Sequence, residues 1–233
     1  MSSLWVHLSQ LGDSRWLLPL GLTLMLAAPA ASVLLRWRWA VALAVAASLT
    51  LASKLAFLGW GVGLARLDFT GFSGHATMSA AVYPVVAYLP AHGRCRSPRR
   101  WAVACVALAA AIAWSRLPLN AHSLSEVVSG WLLGTAVSAV ALSARPAPFN
   151  TPLLSLALAL CMGLLVPLTM PSVRTHDLVV RLATELSGRD SAFARHHPNG
   201  SCQNSGAPRA VRNDASTLTL QSQRGHHTRE IFT

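Results

Sequence analysis

Six stretches of this chain, roughly 16–35, 39–58, 74–91, 101–115, 125–143 and 152–170, carry almost no charge, and they limit the fold more than any other feature. A helix rising about 1.5 Å per residue needs about 20 mainly apolar residues to cross a bilayer. A soluble protein can hide one such helix in its core. Six within 155 residues, with hardly any amphipathic stripe among them, leave no polar face for water. The expected fold class is therefore all-α, a polytopic membrane helical bundle with about six transmembrane helices. Composition agrees: 12% of residues are charged, against roughly 25% in soluble globular domains. The first stretch differs from a cleavable signal, because it follows Asp13 and Arg15 and stays apolar as far as Arg36.

Nineteen Lys and Arg against eight Asp and Glu give a net charge of +11. In a soluble protein that surplus suggests nucleic acid, but no basic run interleaved with aromatics occurs, so no nucleic acid partner is expected. The connections that follow the first, third and fifth stretches hold Arg36, Arg38, Arg94, Arg96, Arg99, Arg100 and Arg145. The other two hold Lys54, Arg66 and Arg116. Positive residues in short loops stay in the cytoplasm, so the seven-arginine side is expected inside and the other side outside. Arg174 and Arg181, close after the sixth stretch, pull the other way.

The expected organisation is a short exterior segment over 1–15, a six-span membrane domain over 16–170, an interfacial helix over 171–187 and a disordered tail over 188–233. The interfacial helix is read from Val173, Leu178, Val179, Leu182 and Leu186 on one side, with an Asp177/Arg181/Glu185 ladder at i,i+4 spacing. The four cysteines, Cys95, Cys105, Cys161 and Cys202, have no metal-ligand spacing and receive no role.

Chemistry concentrates in two segments of the outer side. In the first, a glycine-rich connection over 59–72 ends in Ser73-Gly74-His75 as an apolar helix begins. Ser73 suits an N-cap, and a helix start beside a glycine exposes backbone N–H groups that accept an anion. Taken alone, the tripeptide is better explained by an ordinary capping serine before a helix. In the second segment, Ser115-Arg116 precedes Pro118, which should end the fourth span, so that His122 and Glu126 share a face at the start of the fifth. A carboxylate there can take the imidazole N–H and fix which nitrogen keeps its lone pair. Ser123-x-x-Glu126 also matches a capping box, in which the carboxylate bonds backbone instead. Both readings stay open, as do Lys54 as a snorkelling helix-end residue and Arg66 paired with Asp68.

These residues resemble the type-2 phosphatidic acid phosphatase superfamily, the membrane relatives of vanadium haloperoxidases and bacterial acid phosphatases. Its third motif is Ser-Arg, five residues, His, three residues, then an acid, and Ser115-Arg116, His122 and Glu126 fit that spacing with Glu for the commoner Asp. Its second motif is Pro-Ser-Gly-His, and Phe72 stands in place of the Pro before Ser73-Gly74-His75. Its first motif is Lys followed after six residues by Arg-Pro; counting from Lys54 reaches Gly61-Val62, so the arginine is missing.

The resemblance implies a metal-independent lipid phosphatase or diphosphatase with no cofactor. His122 is implied as the nucleophile forming a phosphohistidine, Glu126 as the residue orienting it, and His75 as the general acid. Lys54, Ser73, Gly74 and Arg116 are implied as phosphate ligands, with Arg66 a candidate for the missing arginine. The implied partners are the lipid bilayer and a membrane lipid phosphate or polyprenyl diphosphate, and the implied location is a bacterial inner membrane with the site facing the periplasm. Two alternatives stay open: a phosphotransferase using the same site, and a non-catalytic pseudo-enzyme, which the degenerate first motif favours.

Overall fold

The computed structural model describes residues 2–144, 157, 161, 165, 175–189 and 191–193. The helices whose bounds are described are α1 (Ser2–Gln10), α2 (Ser14–Ala27), α3 (Val33–Trp60), α4 (Gly74–Ala91), α5 (Pro98–Trp114), α6 (Leu124–Leu142) and α7 (Thr175–Ser187), with short 3₁₀ turns over Ala30–Ser32 and Ala65–Leu67. No strand forms among the described residues; one isolated bridge joins Leu64 to Phe69. The all-α class holds. Two described helices, α3 and α6, are long and apolar enough to cross a membrane. Most of the sixth expected stretch, 152–170, and most of the 188–233 tail lie outside the described residues.

One boundary differs from the sequence expectation. The expected first span over 16–35 is broken, since α2 stops at Ala27 and a 3₁₀ turn over Ala30–Ser32 leads into the 28-residue α3. Pro29 explains the break, because a residue before proline is pushed out of the helical region, and Ala28 is extended at ψ 142°. Arg36 and Arg38 therefore lie inside a helix rather than in a loop. Arg36 Nη1 reaches the Met25 carbonyl at 3.4 Å and Arg38 Nη1 reaches Ser143 Oγ at 3.1 Å, so both serve the same end of the bundle as the C-termini of α2 and α6.

Among the described helices, α4 is the most deeply buried. Ala76, Ala80, Ala81, Val82, Val85 and Leu89 are buried, and its core also takes in Leu17, Leu20 and Leu24 of α2, Leu35 and Trp39 of α3, and Val137 and Ala141 of α6. Its buried Thr77 and Ser79 hydroxyls donate to the Ser73 and His75 carbonyls at 3.0 and 2.7 Å, which satisfies polar groups that no water reaches. Trp39, fully buried, donates its indole N–H to the Ala81 carbonyl at 3.1 Å.

Two glycines set how closely α6 approaches α4. A Cβ on Gly130 would lie 2.8 Å from the Ser73 carbonyl oxygen, and one on Gly134 only 2.2 Å from that of Thr77. This is the small-residue packing by which apolar helices bring their backbones together. It presses the start of α6 against the start of α4, where the two chemical segments meet.

Helix α7 packs on the end of α3 through Val179 and Ala183, which are buried with Leu58. Val179 thus faces α3, while Leu178, Leu182 and Leu186 are exposed. Among the described residues, no ion pair forms along Asp177, Arg181 and Glu185. Val173 lies outside the described residues.

Candidate active site

Helix α5 ends at Trp114, and the chain reverses over 115–122 before α6 begins. Asn120 makes the reversal in the left-handed region at φ 51°, a conformation that asparagine tolerates. The Ala121 N–H donates to the Arg116 carbonyl at 3.1 Å, closing the loop so that Arg116 and His122 belong to one turn.

Glu126, in the first turn of α6, is completely buried. A buried carboxylate persists as an anion only where donors surround it. Its Oε2 accepts from His122 Nδ1 at 2.7 Å and from the Ser123 N–H at 3.2 Å, while Oε1 accepts from the Thr70 N–H at 2.7 Å and from the Thr70 hydroxyl. Ser123 Oγ completes a capping box by accepting the Glu126 N–H at 3.4 Å. The two readings of this carboxylate are therefore both realised: one oxygen serves the backbone cap and the imidazole together. An ionised carboxylate only accepts, so His122 carries its proton on Nδ1 and keeps the lone pair on Nε2. Burial holds His122 below its ordinary value of 6.5; the Glu126 bond opposes that effect, and the Lys54 and Arg116 charges add to it. The imidazole is neutral at neutral pH.

Ser73 stands at the N-cap position of α4 but its side chain makes no capping bond. Its N–H donates to the Glu126 carbonyl at 3.1 Å, and its buried hydroxyl has no hydrogen-bond partner. The ordinary capping explanation thus fails for this serine. Lys54, near the end of α3, brings Nζ to 3.8 Å from the Cβ position of Gly74, beside the same helix start. Gly71 makes that approach possible: at φ 149° it passes so close that a Cβ would lie 3.1 Å from Ser53 Oγ and 3.2 Å from the Lys54 backbone nitrogen. Ser53 Oγ also accepts the Phe72 N–H at 3.2 Å.

Arg116 donates from Nη1 to Ser9 Oγ, and its buried Nε has no partner. Burial lowers its pKa from the ordinary value, against the pull of Asp13; a guanidinium remains charged regardless. His75, in the first turn of α4, lies within the electrostatic reach of Arg116, Asp13, His122 and Lys54. Six of the residues singled out from sequence, Lys54, Ser73, His75, Arg116, His122 and Glu126, thus share one end of the bundle with Gly74 among them. Arg66 does not join them. It is exposed on a 3₁₀ turn over Ala65–Leu67, and no hydrogen bond or ion pair among the described residues links it to the others.

Sequence reading missed Thr70, Ser9 and Gly12. Thr70 sits 56 residues from the carboxylate it serves, and no local pattern announces it. Gly12 lies against His75, where a Cβ would be 3.2 Å from the histidine Cβ.

The family model of the PAP2 superfamily matches residues 66–149. An uncharacterized 22.5 kDa protein in the cps region of Klebsiella pneumoniae is 37% identical over 200 residues, spanning 82% of this chain and 95% of its own. The chain belongs to the PAP2 superfamily. The PAP2 match takes in Ser73, Gly74, His75, Arg116, His122 and Glu126, while Lys54 lies upstream of it. PAP2 proteins are phosphatases, which sets this chain among the phosphoric ester hydrolases in general. No solved structure matches it.

Proposed function

We propose that this PAP2 protein is an integral membrane lipid phosphatase or diphosphatase that works through a phosphohistidine on His122. The observation that carries the reading is the His122 Nδ1 to Glu126 Oε2 bond of 2.7 Å beside two buried polar atoms without protein partners, Ser73 Oγ and Arg116 Nε. Buried polar groups are nearly always paired, so two unpaired ones next to an oriented histidine mark a place for a polar ligand. Both suit phosphate oxygens, one as a hydroxyl and the other as a charge-assisted donor.

In the proposed cycle, the Nε2 lone pair of His122 attacks phosphorus as the bond to the leaving oxygen breaks. His75 gives that oxygen its proton. Water then attacks the phosphohistidine, passing a proton to His75, and the phosphorus–nitrogen bond breaks to release inorganic phosphate. Glu126 stabilises the charge that His122 acquires. Lys54, Ser73, the Gly74 N–H and Arg116 hold the non-bridging oxygens, whose charge grows in the transition state. Each step moves protons and electron pairs among these residues and water, so no metal is needed.

A lipid substrate is supported by the outer surface. Trp60, Val62, Leu64 and Leu67, on the connection that borders the site, are all exposed, as are Val33, Leu34, Trp37, Val41 and Val45 along α3. An apolar exterior of that extent fits hydrocarbon rather than water. In this reading the six spans, with the site on the periplasmic face of a bacterial inner membrane, bring a phosphate headgroup to His122 while its chains stay in the bilayer. The 171–187 segment lies at the interface.

The test is phosphate release by detergent-purified protein over a panel of lipid phosphates and diphosphates, with EDTA present and His122→Ala alongside. Release by the wild type and none by the variant supports the reading. Release that EDTA abolishes, or that His122→Ala retains, contradicts it. Transfer to an added alcohol exceeding release to water identifies a phosphotransferase instead.

A further inference from the structure

The segment before α2 is built into the site rather than attached outside it. Ser9 is buried and its hydroxyl accepts from Arg116 Nη1 across 107 residues of sequence. Two residues on, the Leu11 carbonyl accepts from the Tyr83 hydroxyl of α4 at 2.7 Å. At Gly12 a Cβ would lie 2.7 Å from Ile112 Cγ2 and 3.2 Å from His75 Cβ, so only glycine lets the chain pass this close. The turn is closed by bonds from the Gly12 and Asp13 N–H groups to the Ser9 and Gln10 carbonyls, at 3.0 and 3.1 Å.

We infer that Ser9 is a positioning residue for the reaction, holding the Arg116 guanidinium so that its Nε–H and its charge remain available to the substrate phosphate. The inference rests on the reading of Arg116 as a phosphate ligand. A guanidinium is a rigid planar fork, so fixing one nitrogen restricts where the others point. The identity of the anchor matters as much as its place. A carboxylate would hold Arg116 more firmly but would cancel the charge that an anion needs, whereas a hydroxyl is a neutral acceptor. The carboxylate whose charge acts on Arg116 is bonded elsewhere: Asp13 accepts from Arg15 Nη2 at 2.7 Å and Nε at 2.9 Å and also caps α2. Burial pushes the Asp13 carboxyl up, but its bonds to Arg15 outweigh this and leave it lowered, an anion paired away from Arg116.

The experiment measures orthovanadate binding by calorimetry, and kcat and KM for phosphate release, on the full chain in detergent. Ser9→Ala, Ser9→Thr and Ser9→Asp are compared with wild type, and Ser9→Ala is repeated in an Arg116→Ala background. Ser9→Ala weakens vanadate binding about tenfold, Ser9→Thr restores it to within about twofold, and Ser9→Asp binds more weakly than Ser9→Ala although it can still hold Arg116. In the Arg116→Ala background, Ser9→Ala has no further effect. A merely structural role predicts the reverse order, with the bulkier Thr worse than Ala, and an effect that survives loss of Arg116; either result overturns the inference. Wild type that binds vanadate and turns over substrate, with Ser9→Ala indistinguishable from it, overturns the inference alone and leaves the phosphatase reading standing. Wild type that neither binds vanadate nor releases phosphate overturns both.

Discussion

His122 Nδ1 lies 2.7 Å from Glu126 Oε2, and that carboxylate is completely sealed from solvent. The pair settles the tautomer of the histidine and ties the loop after α5, the start of α6 and the Thr70 loop to a single side chain.

Glu126→Gln keeps the shape and removes the charge. Its amide can offer an N–H where His122 needs an acceptor, which favours the wrong tautomer. The expected outcome is a fall in kcat of roughly 10²–10⁴-fold, with KM nearly unchanged and the folded state intact, measured by phosphate release alongside thermal unfolding in detergent. A variant within about threefold of wild type would show that the carboxylate does not act through His122.

Thr70→Val removes one of the donors to Oε1 and leaves the Thr70 N–H in place. The smaller loss predicts a drop in kcat of about tenfold, in line with one hydrogen bond to a charged group, whereas Thr70→Ser should retain most activity. Equal activity in all three proteins would make Thr70 a packing residue only.

The pH dependence has a definite sign. In the proposed mechanism His122 attacks only as the neutral imidazole, and its pKa is lowered from 6.5, chiefly by burial. The rate contributed by this group is therefore full above 6.5 and is lost as pH falls through the lowered value. Stability follows the same direction. Below 6.5 the unfolded chain takes up a proton at this histidine that the folded chain resists, so folding stability contributed by the neutral site is present above 6.5 and declines as pH drops toward the folded value. Replacing His122 with Phe should flatten that part of the unfolding profile. A kcat/KM profile whose acid limb for His122 begins above 6.5 would contradict the buried, neutral assignment.

Gly134→Val places a side chain where even a Cβ meets the Thr77 carbonyl oxygen at 2.2 Å. Overpacking of this kind costs about 1–3 kcal/mol. It also moves the start of α6 from the start of α4, so that activity falls further than the stability loss explains. Unfolding temperature and kcat measured together test this; an unchanged kcat would mean that the α4–α6 approach does not set the site.

What the sequence revealed and what it hid follow from distance along the chain. The Ser115-Arg116, His122 and Glu126 pattern lies within one loop and one helical turn, and there local spacing predicts spatial contact. The apolar stretches likewise predict helices, since composition decides that locally. The break at Pro29 was obscured because Arg36 and Arg38 looked like punctuation, although a helix end can carry arginines that reach neighbouring carbonyls and hydroxyls. Ser9, Gly12 and Thr70 belong to the site only through tertiary packing, which no short pattern records. Ser73 went the other way: its sequence context fits a cap, and only the structure shows its hydroxyl buried with neither a capping bond nor any other partner.

The proposed mechanism turns on a covalent bond between phosphorus and His122. Rapid quenching in alkali during turnover of a lipid phosphate, followed by peptide mass spectrometry, tests it most directly, because phosphohistidine survives base. The expected result is a phosphoryl group on His122 in wild type and none in His122→Ala. Sustained turnover with His122 unmodified, or with the phosphoryl group on another residue, would contradict it.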